Sequence, residues 1–153
     1  MPNSSPPDAD AARLFALFNE VGIIGQLSRA MFEDRTGTGM TLPMFSVLNH
    51  LMRVGEGPTP LRLARAFQVP KTTMSHTLAA LAKQGLIRMD PSPEDGRAKC
   101  VYSTEAGRAA RDAAIAALAP DLARIAMALP EGLVEAALPH LTALREILDA
   151  ARD

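Results

Sequence analysis

Apolar side chains return every three or four positions along residues 10–33, at Leu14, Leu17, Phe18, Val21, Ile24, Leu27 and Met31. That spacing predicts an amphipathic helix, and "EDRTGTGM", with two glycines among polar neighbours, ends it. A second helix is predicted through "MFSVLNHLMR" to about Val54, with Thr41 as a hydroxyl cap and Pro43 in its first turn. "GEGP" stops it, and Thr59-Pro60 starts a third helix, the two turns of "PLRLARAF". After the turn "QVP" comes a fourth, "KTTMSHTLAALAKQG", closed by Gly85. At the helical repeat of roughly 100° per residue, Met74, Leu78 and Leu81 share one stripe. Thr72, His76, Ala79 and Lys83 fall on the other side, so this helix buries one face and shows a small, polar, basic one.

The period then changes. "LIRMD" reads as a short strand over 86–89 and "AKCVY" as its partner, while "PSPEDG" between them supplies two prolines and an Asp-Gly turn. Thr104 caps a long Ala/Leu helix over about 105–129, kinked or split at Pro120 and ended by Pro130. Leu133, Val134, Ala137, Leu138, Leu141, Leu144, Ile147 and Leu148 predict a last helix over 131–151, with Pro139 as a bend or restart. The fold class expected is mainly α with a small β-wing: a winged helix-turn-helix with N- and C-terminal dimerisation helices. The chain divides accordingly into a flexible tail (1–9), an N-terminal helix (10–35), the winged helix-turn-helix (36–103) and the long and C-terminal helices (104–153).

Composition narrows the class. The 153 residues suit one compact domain with appended helices, and with aromatics at 4% and no Trp the core falls to Leu, Ala, Met and Val. No apolar run approaches the roughly 18 residues that span a bilayer, and "MPNSSPPDAD" lacks the regions of a signal peptide. One cysteine excludes an internal disulfide and fits a reducing compartment, so a cytoplasmic location is expected. The net charge of −1 hides a segregation: between Thr59 and Arg108 stand eight Lys/Arg against four Asp/Glu, leaving eight basic and thirteen acidic residues outside. A basic centre is the electrostatic footprint that a polyanion needs.

Helix, short helix, tight turn, helix, strand, hairpin, strand is the order of a helix-turn-helix with a wing. A helix with small polar residues at its N-terminal end can enter the major groove of B-DNA, and a hairpin beside it can lay an arginine in the adjacent minor groove. Lys71, Thr72, Thr73, Ser75 and His76 are therefore the candidate groove contacts, and Arg97 the candidate wing contact. Lys83, Lys99, Arg62 and Arg65 are placed for phosphates or solvent. No P-loop, nucleophile elbow, Gly-rich dinucleotide loop or HExxH is present, and neighbours Ser75 and His76 diverge on a helix, so no enzyme is expected. Cys100 alternates with Lys99 and is expected to be buried. With His50 and His140 it shows no ligand spacing, so neither metal nor cofactor is expected.

The stretch "TPLRLARAFQVPKTTMSHTLAALAKQGLIRMDPSPEDGRAKCVYSTEAGR" resembles the winged helix of the MarR family of bacterial transcription regulators, with Asp95-Gly96-Arg97 on the wing and then Thr104 and Gly107. The resemblance implies that Asp95 orients Arg97, and that a homodimer, clasped by the N-terminal, long and C-terminal helices, binds a pseudo-palindromic duplex as a repressor. It also implies a small apolar or phenolic effector between the dimer helices and the winged domain, near Phe15, Phe18, Met44, Phe45, Leu48 and Met52. Pro70 stands where that family has a capping side chain, so Thr72 or Thr73 is expected to cap the fourth helix. The rival reading is a winged-helix protein-interaction module that binds no DNA.

Overall fold

The computed structural model describes residues 7–151. In chain order they form α1 (Pro7–Thr36), a 3₁₀ turn (Gly37–Gly39), α2 (Leu42–Val54), α3 (Pro60–Phe67), α4 (Lys71–Lys83), β1 (Ile87–Pro91), β2 (Lys99–Ser103), α5 (Glu105–Ala128) and α6 (Leu133–Ala150). The fold is thus mainly helical with one small antiparallel ribbon.

The hydroxyl caps set the helix starts. Thr41 accepts the Met44 N–H at 3.4 Å and Thr59 the Arg62 N–H at 3.2 Å, each before a helix with proline in its first two positions. Thr104 does more. Its hydroxyl accepts the Gly107 N–H at 3.0 Å and donates to the Gly85 carbonyl at 2.6 Å, while its N–H donates to the Leu86 carbonyl at 3.1 Å. One of these bonds caps α5, and the other two pin its start to the turn that ends α4.

Several boundaries differ from the sequence expectation. α1 begins at Pro7, not Asp10, because proline is pre-set for a first helical position; residues 7–9 of the expected tail are helical and residues 1–6 lie outside the described residues. β1 starts one residue later than expected because Leu86 closes α4 instead: Gly85 takes φ 70° and the Leu86 N–H reaches back to the Leu81 carbonyl at 2.9 Å. Pro120 and Pro139 both lie inside continuous helices and split neither.

The expected stripe of α4 is buried in the core, whereas the apolar stripes of α1 and α6 are not. Met44, Val47, Leu48 and Leu51 of α2, Leu63 of α3, Met74, Leu78 and Leu81 of α4 and Val101 of β2 are buried together, with Phe32 from the end of α1. The chain divides into two compact units, Met1–Leu118 and Ala119–Asp153. Within the first, every residue of α1 from 10 to 30 is exposed, including Phe15, Phe18, Ile24 and Leu27. In the second, α6 has no buried residue, and Leu138, Ile147 and Leu148 are exposed.

Candidate nucleic-acid interface

Two elements project polar side chains from a common scaffold. On α4, burial divides as the helical repeat requires: Met74, Leu78 and Leu81 face the core, while Lys71, Thr72, Thr73, Ser75, His76, Ala79 and Lys83 are exposed. The turn that aims this helix is tight. Gln68 takes the left-handed conformation at φ 53°, its side-chain amide donates to the Arg65 carbonyl at 2.8 Å, and the Val69 N–H reaches the Ala64 carbonyl at 3.0 Å. Gln68 was not singled out from sequence, because only glycine, asparagine and aspartate advertise that conformation.

No side chain caps α4, which corrects the expectation for Thr72 and Thr73. The first turn leaves its N–H groups facing outward, a favourable place for a phosphate oxygen. Ser75 and Thr77 turn inward on their own helix, donating to the Lys71 and Thr73 carbonyls at 2.9 and 3.2 Å. Their hydroxyls therefore keep acceptor capacity only, whereas Lys71, Thr72 and His76 keep theirs whole. Thr73 lies at the edge of the exposed face, where with Thr77 and Phe67 it lines an apolar cavity of about 220 Å³.

β1 and β2 pair antiparallel, with Ile87 opposite Ser103 and Pro91 opposite Lys99. Arg88 lies 4.5 Å over the ring of its cross-strand partner Tyr102 and pairs with Asp90, which stiffens the stem. At the tip the Ser92 N–H donates to the Ala98 carbonyl at 2.8 Å and the Ala98 N–H to the Asp95 carbonyl at 2.9 Å. The Asp95 carboxylate accepts the Arg97 backbone N–H at 3.0 Å. It thus orders the turn that carries Arg97. The exposed Arg97 guanidinium has no hydrogen-bond or ion-pair partner among the described residues, and Lys99 is exposed beside it. Cys100 is buried on the opposite face of the strand.

Behind the interface, His50 packs on Phe67 with ring centroids 5.3 Å apart. Burial first, then the Arg53 and Arg62 guanidiniums, hold its pKa below the ordinary histidine value. The six residues of the expected effector pocket do not share one cavity. Met44 and Leu48 are core, Phe45 leans on Phe32 with centroids 5.0 Å apart, and Phe15, Phe18 and Met52 are exposed. A cavity of about 380 Å³ instead lies among Arg35, Thr36, Met40, Gln84, Ala110 and Ala114. Among the described residues no group of three His, Cys, Asp or Glu is placed to hold a metal ion. None of the described helices is by itself long and apolar enough to cross a membrane.

A model of the MarR family matches residues 38–98, the segment from the 3₁₀ turn before α2 through the wing tip. No curated protein matches the sequence. Among solved structures, a probable transcriptional regulator from Pseudomonas aeruginosa is 29% identical, over 84% of this chain and 98% of its own, with a TM-score of 0.66. The transcriptional regulator BldR from Sulfolobus solfataricus is 24% identical over 90% and 96%, with a TM-score of 0.73. A mutant MarR from E. coli, solved in complex with operator DNA, is 22% identical over 89% and 96%, with a TM-score of 0.70. Residues 38–98 thus match the model of the MarR family, and the chain shares the fold of these solved structures.

Proposed function

We propose that the chain is a cytoplasmic, sequence-specific DNA-binding regulator, a repressor that reads a pseudo-palindromic operator as a homodimer. In this reading residues 36–103 form the reading unit and the flanking helices the dimer clasp. α4 enters the major groove with Lys71, Thr72, Thr73, Ser75 and His76 toward base edges and phosphates, and the wing lays Arg97 in the minor groove with Lys99 on the backbone. The observation that carries the reading is the unpartnered Arg97 guanidinium on a turn ordered by Asp95, beside a helix whose exposed face is polar and basic. A second copy supplies the cover that α1 and α6 lack within one chain. A small apolar or phenolic effector that prefers one spacing of the two reading units would release the duplex. The cavity touching Gln84 at the end of α4 supports a site of that kind.

The test is selection of duplexes from a random-sequence pool by the purified protein, followed by a salt titration. A defined, two-fold symmetric site whose affinity falls steeply with salt is expected. Arg97→Ala is expected to weaken binding about tenfold with folding and dimerisation intact. Selection of no sequence, or an affinity indifferent to salt, would overturn the reading.

A further inference from the structure

The connection between α2 and α3 does not run free. Gly55 and Gly57 take φ of 142° and 85°, conformations that most side chains avoid, and a Cβ on Gly57 would press the Tyr102 hydroxyl at 3.2 Å. Those two bends lay the segment along β2. The Gly57 N–H donates to the Val101 carbonyl at 2.9 Å and the Val101 N–H to the Pro58 carbonyl at 3.0 Å. Two residues on, strand alternation turns the Ser103 N–H to the same side, and there it meets a side chain in place of backbone. Glu56 Oε2 accepts the Ser103 N–H at 2.8 Å, and Oε1 accepts the Ser103 hydroxyl. Arg108, in the first turn of α5, donates to that same hydroxyl at 2.9 Å and stands 3.7 Å from Glu56 Oε1. Ser103 itself is buried, so its polar atoms depend on these partners.

One carboxylate therefore joins the α2–α3 connection, the return strand of the wing and the start of α5. A two-stranded ribbon is marginal without such support. Leverage makes the support matter. From Ser103 to Arg97 is six residues, about 20 Å at ~3.3 Å each. A rotation of roughly 10° at the base would move the tip by roughly 3 Å, more than a hydrogen bond tolerates. We propose that Glu56 is a positioning residue for the wing, its clamp on Ser103 and Arg108 holding the hairpin at the angle from which Arg97 meets the duplex engaged by α4. The inference rests on the DNA reading above.

A double-mutant cycle on the full chain tests it, using the tightest duplex selected by the wild-type protein. Glu56→Ala is expected to speed amide exchange at Ser103 and to weaken binding about tenfold, the scale of a lost charge-assisted contact. In that background Arg97→Ala should cost less than about twofold, because a displaced guanidinium contributes little for removal to erase. Glu56→Gln, which keeps one acceptor, should fall between and carries the cycle if Glu56→Ala fails to fold. A residue that only braces the fold would lower the thermal midpoint and leave the Arg97 increment intact; that result overturns the proposal, as does unchanged exchange at Ser103. Failure of the wild-type chain to select any duplex sinks the DNA reading and the wing role with it. Binding by the wild type with an additive cycle sinks the Glu56 role and nothing else.

Discussion

Gly107 packs so closely on the turn after α4 that a Cβ would fall on the Leu86 carbonyl oxygen, which already accepts the Thr104 N–H. Backbone cannot swing aside as a side chain does, so α5 would have to lift. Gly107→Ala is expected to cost about 3 kcal/mol, seen as a lower urea midpoint at unchanged slope. His50 carries a second residue-scale prediction. Its pKa is held low by burial and by Arg53 and Arg62, so the folded state favours the neutral ring and the unfolded chain binds more protons just below the ordinary value of 6.5. Its share of stability is intact above that value and is lost as pH falls through it. Between about pH 5 and 7 the stability of His50→Gln should therefore depend less on pH than that of wild type, measured by urea titration at each pH. At this scale the sequence spoke clearly for residues whose roles are local: the Thr41, Thr59 and Thr104 caps, and the Asp-Gly turn that carries Arg97. Glu56 gave no such signal, since its partner Ser103 is 47 residues away and nothing near Glu56 announces a ladder to complete.

At the scale of elements, the helices with caps at the start and glycines at the end were legible because those residues satisfy backbone groups within one turn of themselves. Thr59→Ala is expected to lower stability by about 1 kcal/mol, read by thermal unfolding, because the Arg62 N–H loses the hydroxyl to which it donates. The internal prolines were harder to weigh. Each removes one helical bond and crowds the carbonyl four residues earlier. Here those residues, Ala116 and Glu135, are exposed, so water can satisfy the freed carbonyls and the Ala/Leu-rich neighbours keep the helix going. The strand boundaries slipped for a related reason. Leu86 looks like the first residue of a strand by hydrophobicity, but its N–H is already committed to closing α4. Whether a terminal residue belongs to helix or strand is decided by which backbone partner reaches it first, and sequence pattern does not record that competition.

Across the whole molecule, charge and apolar surface separate. Residues 36–103 carry eight Lys/Arg against four Asp/Glu, whereas α1 keeps Phe15, Ile24 and Leu27 more than 60% exposed. An exposed apolar face of this kind marks an interaction surface, and in the proposed homodimer a second copy of the same face covers it. Ile24→Asp puts a charge into that face at a side chain outside the core, because Ile24, like every residue of α1 from 10 to 30, is exposed. The variant is expected to be a folded monomer at micromolar concentration by light scattering, with its near-native thermal transition retained. Its affinity for a complete operator should fall at least about hundredfold, since linking two reading units makes the second contact intramolecular. Its affinity for an isolated half-site should match that of wild type. A monomer that held the complete operator as tightly as wild type would mean that one copy reads the whole site, and the two-fold account of the exposed helices would fail.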